Sequence, residues 1–306
     1  MNTEGEKVEK EIKDNYLEAG RINKKIIEYA RSYVKEGKSL LDIAEALEKK
    51  ISEENEEARP AWPVNLSINE NAAHQTASLE EEVVLTGNEL IKVDAGVHID
   101  GYISDAAITI DLSGEHGKLV EVAEEALEEG VKATEKREIS AIGKVVEKAI
   151  KDKGFNPVQN LTGHFLEQWI NHAPPSIPNI ETNYKKEIEN DSVIAIEPFV
   201  TDGEGYVREG GKAEIFMLVE RKPLRNINAR KILDFIEENY NTLPFAERWL
   251  TKEFEMPDFQ RKVAFRELMR GGCLKSFPVL HEEKGKLVAQ AETTLIIEDG
   301  EITRLV

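Results

Sequence analysis

Residues 89–111 read ELIKVDAGVHIDGYISDAAITID, and the fold turns on how this stretch is read. Ile91, Val93, Ala95, Val97 and Ile99 alternate with other residues, the period-two pattern of a strand with one buried face. Asp100-Gly101 is a strong short hairpin-turn signal, and strand character resumes from Tyr102 to Ile110. With these two residues as the loop, Ile99 pairs with Tyr102, Gly96 faces Asp105, and Asp94 faces Ala107. Side chains alternate faces, so Asp94 and Asp105 share one face as diagonal neighbours, roughly 7–8 Å apart at Cα. Gly96 leaves open space opposite Asp105. One bulged residue between the aspartates would put them on opposite faces. Two carboxylates among apolar neighbours repel each other and lose hydration, and divalent cations would offset both costs. A pair of solvated aspartates on an exposed hairpin face is the plainer reading of this segment alone.

Working outward, Val8, Ile12, Tyr16, Ala19, Ile22, Ile26 and Ala30 recur at helical spacing, so residues 6–36 are expected to form a helix ended by Gly37. Ser39 is a good N-cap for a second helix with Leu40, Ile43, Ala44, Leu47 and Ile51 on one face. Pro60 to Ile68 reads as a loop entering an edge strand. Helices are expected near 117–134 and 140–153, the latter capped by Ser140 and ended by Gly154. Strands are expected at Val158–Gly163, Ser192–Phe199, Ala213–Glu220, Phe277–His281 and Val288–Ile297. Between the third and fourth of these, residues 226–270 carry helical patterns, as a helical insertion between two strands of one domain would.

Composition narrows the function. The 306-residue chain has 40 Lys and Arg against 59 Asp and Glu, a net charge of −19. So acidic a chain is poorly suited to broad nucleic-acid binding, because phosphate contacts need clustered Lys and Arg. The single cysteine, Cys273, permits no intrachain disulfide and no multi-thiolate zinc site, and suits a reducing cytoplasm. The charged start, MNTEGEKVEKE, is unlike a signal peptide, and no run of about 18 apolar residues could span a membrane.

Further candidate ligands lie in apolar surroundings. Glu197 is inside Val193-Ile194-Ala195-Ile196-Glu197-Pro198-Phe199, and Glu292 is inside the apolar run from Val288 to Ile297. A carboxylate in a buried strand needs a partner, and neither run holds a Lys or Arg. His164 follows Asn160-Leu161-Thr162-Gly163, and His172 precedes Ala173-Pro174-Pro175. One imidazole and four carboxylates make a mostly oxygen ligand set, which suits Co, Mn, Fe, Zn or Ni in an open, catalytic pair. On the residues alone, buried salt bridges remain an alternative for both glutamates.

Several segments together resemble the methionine aminopeptidases: Trp62-Pro63-Val64-Asn65-Leu66-Ser67-Ile68-Asn69-Glu70 with His74, Val93 to Tyr102 with Asp105, Gly163-His164, His172, Ile196-Glu197-Pro198, and Gln290-Ala291-Glu292. The resemblance covers nearly the whole chain. It implies the α+β "pita-bread" fold, a curved antiparallel sheet flanked by helices, with residues 1–306 as one catalytic domain. Segment 222–275 resembles the helical insertion of the type II enzymes, and the short N-terminal region resembles the archaeal form.

The resemblance also implies roles. Asp94 binds one metal ion and His164 the other, Asp105 and Glu292 bridge them, and Glu197 is both ligand and general base. His74 and His172 face the substrate, with Trp62, Phe199 and Phe277 lining the pocket for its side chain. Phe277 replaces a Tyr of some relatives, and Asn171 stands where several have an apolar residue. His98 is expected at the hairpin end, about 13 Å along the strand from Asp94 at roughly 3.3 Å per residue. His116 is expected at a helix start, and Cys273 as an idle thiol.

The implied activity is removal of the initiator methionine from nascent polypeptides by a hydroxide activated between two metal ions. The ribosome is a candidate partner, and a cytoplasmic monomer without membrane or DNA contacts is expected. Two other readings stay open: an Xaa-Pro dipeptidase or aminopeptidase P with similar ligands, and a metal-free pita-bread protein that binds ribosome or RNA.

Overall fold

The computed structural model describes residues 3–306, with side chains from residue 10 onward. Val8, first residue of the expected apolar stripe, lies outside the described side chains. Helix α1 (Thr3–Tyr33) and helix α2 (Leu40–Glu54) open the chain. The Ser39 hydroxyl accepts from the Asp42 amide at 3.0 Å, capping α2 as expected. The first helix stops before its expected end. Gly37 instead turns the chain at φ +82°, its amide bonded to Leu85 O at 2.8 Å.

Strands β1 (Arg59–Pro60), β2 (Asn65–Ile68), β3 (Asn71–Ala73), β4 (Leu90–Ile99) and β5 (Tyr102–Asp111) follow. The β4–β5 hairpin has the expected register with no bulge: Ile99 pairs with Tyr102, Gly96 with Asp105 and Asp94 with Ala107. Asp100 and Gly101 both take positive φ, at +48° and +79°, as this turn requires. The odd-numbered apolar residues of β4 pack against α1 and α2 in one core cluster. That burial fixes which face of the hairpin carries Asp94 and Asp105. The even face is no ordinary polar face. Lys92 is fully buried there, its Nζ donating to Asn69 O at 2.8 Å.

The second half repeats the plan with helices α3 (Gly117–Ala133) and α4 (Ile139–Asp152). Ser140 is not the cap of α4. Glu138 holds that position, and the Ser140 hydroxyl donates to the Glu138 carboxylate from inside the first turn. Gly154 closes the helix at φ +85° as expected. The expected strand at 158–163 is displaced. The chain instead forms β6 (Asn156–Pro157), β7 (Thr162–Glu167) and β8 (Ile170–Pro178). Pro174 and Pro175 hid β8 from the sequence reading, but as the outermost strand of its sheet it tolerates them.

The run at 192–199 divides into β9 (Ser192–Ile196) and β10 (Phe199–Thr201), with Glu197-Pro198 at the break. Strand β11 (Arg208–Leu218) leads to helix α5 (Ile227–Asn239), strand β12 (Phe245–Ala246) and helices α6 (Glu247–Glu253) and α7 (Asp258–Arg270). Strand β13 (Leu274–His281) then returns to pair with β11. The chain closes with β14 (Val288–Gln290), β15 (Thr293–Glu298) and β16 (Glu301–Arg304). The break between β14 and β15 falls at Ala291-Glu292, inside a run expected to be one strand. The result is the curled antiparallel sheet of the pita-bread fold, with paired helices on its outer surface.

The helices between β11 and β13 have their own core around Phe216, Phe245, Phe265 and the buried Cys273. An ion pair ties them to the body: the Arg248 guanidinium on α6 meets the Glu48 carboxylate on α2, both largely buried. Trp249 Nε1 and Val64 N donate to the same carboxylate at 2.9 and 3.2 Å. Arg248 Nη1 also donates to Thr76 Oγ1 at 3.1 Å and Ala77 O at 3.0 Å. Removing one partner of such a pair strands the other charge. Arg248→Met is therefore expected to cost about 3–5 kcal/mol of stability. Urea unfolding measures this, and a loss within the error of the wild-type value would refute the tie.

Candidate metal centre

The strand registers explain how distant residues meet. In one row across the sheet, Asn65, Asp94 and Ala107 lie side by side on β2, β4 and β5, and an isolated bridge adds Glu292 beyond Ala107. In the next row Gly96 faces Asp105, whose backbone meets Thr294. Thr294 pairs with Ala195, and Ala195 pairs with His164. Members of the two rows are two residues apart on each strand, so their side chains share one face. Glu197 and Glu292 lie one residue beyond the Ile196–Thr293 pair, where both strands break. Small residues alternate with carboxylates: Gly96, Ala107 and Ala195 leave the volume into which their neighbours converge.

His164 Nε2 lies 3.5 Å from Asp105 Oδ2 and 3.5 Å from Glu197 Oε1. Its Nδ1 donates to Phe165 O at 3.2 Å, which leaves a lone pair on Nε2 facing the carboxylates. Asp105, His164 and Glu292 each offer a ligand atom within 4.8 Å of the others. Asp94 accepts from Trp62 Nε1 at 3.1 Å and Asn65 Nδ2 at 3.2 Å. Gln290 Nε2 donates to Glu292 Oε2 at 3.2 Å. Asn179 Nδ2 donates to Glu197 O at 2.9 Å and fixes the strand break. Asp105 Oδ1 and Glu292 Oε1 are buried and accept no hydrogen bond.

The electrostatics follow from this crowding. Burial raises the Asp94 carboxyl to about 6, against the pull of Asn65, Trp62 and Gln290. Burial, then the charge of Asp94, pushes Asp105 well above the usual carboxylate range. Glu197 is raised by burial and by Asp105 and Asp94. Glu292 is raised by burial and by Asp105, Glu197 and Asp94. His164 is lowered to about 4 by burial, so its imidazole is neutral and able to ligate. Four carboxylates that resist ionisation together, one neutral imidazole and two orphaned acceptor oxygens fit divalent cations. A buried ion without a counter-charge costs several kcal/mol, and no Lys or Arg lies among these five side chains.

The ten residues expected as ligands, substrate contacts or pocket lining all border one cavity of about 330 Å³: Trp62, His74, Asp94, Asp105, His164, His172, Glu197, Phe199, Phe277 and Glu292. His74 takes the left-handed conformation at φ +64°, uncommon for a non-glycine residue. Its Nδ1 donates to Pro278 O at 3.2 Å, which leaves Nε2 as an acceptor. Burial lowers it to about 4, so it stays neutral. His172 is open to the cavity, edge-on to His164 with ring centres 4.6 Å apart. Desolvation, then His164, His74 and Lys275, disfavour its cation.

Trp62 lines the cavity and does more besides. Its indole fills the space beside Gly96, where a Cβ would come within 2.4 Å of the ring, and it holds Asp94. Phe277 packs edge-on against His74 at 5.5 Å, and Asn171 also lines the cavity. His98 lies outside this cavity at the hairpin end, stacked edge-on against Trp169 at 5.1 Å and accepting the Gly101 amide. The sequence reading gave no role to Asn65, Thr109, Asn179 or Thr294. Asn65 and Gln290 stood inside quoted motifs. The threonines carried no signal, because their partners come from across the sheet.

Residues 14–218 match the model of metallopeptidase family M24. The methionine aminopeptidase of Archaeoglobus fulgidus is 45% identical over 294 residues, 96% of this chain and 98% of that protein. Among solved structures, a thermophilic Arx1 superposes with a TM-score of 0.82 at 19% identity, over 96% of this chain and 90% of that one. The Thermotoga maritima methionine aminopeptidase gives 0.66 at 18% identity, over 97% and 96%. At these identities the two structures speak to the fold alone, whereas the archaeal relative and the family model reach further. With the family model spanning residues 14–218 and an archaeal relative 45% identical over nearly its whole length, the cavity holding Asp105, His164 and Glu292 is the candidate metal site, and the chain belongs to the methionine aminopeptidases of metallopeptidase family M24.

Proposed function

We propose that this chain removes the initiator methionine from polypeptide N-termini, with Asp94, Asp105, His164, Glu197 and Glu292 holding two divalent ions. The observation that carries the reading is that these five side chains, His74 and His172 line a single cavity. When bound, the ions supply Lewis acidity, which lowers the pKa of water toward about 7 and offers charge to a developing oxyanion. Glu197, whose carboxylate is held beside His164, takes the proton of the attacking water and delivers it to the leaving amine. His74 Nε2 accepts a hydrogen bond from the scissile amide N–H. His172 donates to the oxygen on which negative charge develops.

Trp62, Phe199 and Phe277 form the apolar slot for the methionine side chain. The chain acts as one catalytic domain and as a monomer, with residues 222–275 as a type II insertion. The natural substrates are nascent chains, met at the ribosome in the cytoplasm. The buried lone Cys273 fits such a reducing compartment.

Loaded with a panel of divalent ions, the protein is expected to release methionine from Met-Ala-Ser much faster than from Met-Phe-Ser. Equal rates would refute the size gate, cleavage confined to Xaa-Pro peptides would favour a prolidase, and no cleavage under any ion would end the enzymatic reading. His172→Ala is expected to bind metal normally while kcat falls about 10²–10³-fold, and an unchanged kcat would remove His172 from the reaction. Because Asp105, Glu197 and Glu292 hold protons more tightly in the folded protein than in free chains, cations must displace those protons. The rise in melting temperature on adding Mn²⁺ is therefore expected to be larger at pH 7.5 than at pH 5.5. A pH-independent rise would contradict these carboxylates as ligands.

A further inference from the structure

The two half-sheets meet at an unusual seam beside the metal centre. At its middle, Ala107 and Glu292 exchange direct backbone bonds, Glu292 N to Ala107 O at 3.0 Å and Ala107 N to Glu292 O at 3.4 Å. Two residues to either side, in both directions, the backbones no longer reach each other directly. On one side the Thr294 hydroxyl accepts from Asp105 N at 2.7 Å and donates to Asp105 O at 2.8 Å. On the other, the Thr109 hydroxyl accepts from Gln290 N at 2.8 Å and donates to Gln290 O at 2.7 Å. Each hydroxyl replaces the pair of bonds that an ordinary ladder would make at that position, one from each half-sheet. Both threonines are buried.

We propose that Thr294 and Thr109 are positioning residues that clasp the two half-sheets and thereby set the spacing of Asp105 and Glu292. The inference rests on the ligand set proposed above. Thr294 holds both backbone polar groups of Asp105 itself. Thr109 holds those of Gln290, whose side chain donates to Glu292 Oε2. The requirement is chemically narrow. One atom must accept an N–H and donate to a C=O, which a hydroxyl does and a methyl cannot. Replacement by valine keeps the shape but leaves a buried N–H and a buried C=O unpaired, and such groups relax by moving the backbone. That movement would shift the carboxylate on the same residue, so the effect falls on metal affinity.

The test uses the full chain stripped of metal and titrated with Mn²⁺ alone, read by calorimetry and by the magnetic coupling of a paired-ion resonance signal. Circular dichroism monitors folding. Thr294→Val is expected to weaken Mn²⁺ binding about 10–100-fold and to lose the coupled signal. Thr294→Ser, which keeps the hydroxyl, is expected to retain both. Thr109→Val is expected to weaken binding in the same sense, and it carries the test if Thr294→Val does not fold. Equal losses in Thr294→Ser and Thr294→Val would overturn the clasp, because packing of the methyl would then be the cause. Wild-type affinity and coupling in the valine variants would overturn it as well, while leaving the ligand set standing. A wild-type protein that binds no Mn²⁺ would fell the ligand set and the clasp together.

Discussion

Four carboxylates forced into one buried concavity are the constraint around which this molecule is arranged. Burial raises the proton affinity of Asp94, Asp105, Glu197 and Glu292, and the charge of Asp94 adds to it at the other three. A cluster of this kind is unfavourable unless cations neutralise it, so much of the local structure serves to hold these groups close. Trp62 and Asn65 donate to Asp94, Gln290 donates to Glu292, and Asn179 pins the backbone of Glu197. Neutral histidines then face the cavity without adding to its charge.

The scaffold supplies rigidity from both sides. One apolar face of the β4–β5 hairpin is sealed by α1 and α2, and the second half-sheet is sealed by α3 and α4. With those faces committed, neither hairpin nor half-sheet can slip register without exposing its core. The polar face is thereby fixed to within a side-chain rotamer. The seam is one of the places where the two halves meet, and it passes through Asp105 and Glu292. The helices between β11 and β13 join the body through Arg248, which meets Glu48 and donates to Thr76 Oγ1, and Glu48 in turn accepts from the Val64 amide.

The sequence by itself determined the hairpin and the register it takes in the absence of a bulge. Alternating apolar residues and a two-residue Asp-Gly turn favoured one pairing that buries Ile91, Val93, Ala95, Val97 and Ile99 together, and the structure shows no bulge to disturb it. It also determined which carboxylates were out of place, since Glu197 and Glu292 interrupt apolar strands. Local signals of this kind are legible because backbone periodicity and turn chemistry act over a few residues. Where several requirements competed locally, the reading slipped. Glu138 and not Ser140 opens α4, the prolines of β8 concealed a tolerated outer strand, and Glu197 and Glu292 mark breaks between strands that looked continuous.

Only the tertiary structure decided which partners meet across the sheet. Thr294 opposite Asp105, Thr109 opposite Gln290, and Trp62 in the hollow over Gly96 are contacts between residues far apart in the chain, and no local pattern encodes them. A threonine hydroxyl looks the same in the sequence whether it faces water or replaces a pair of backbone bonds. Its role is set by the distance between two half-sheets, and that distance exists only once each half has packed on its own helices.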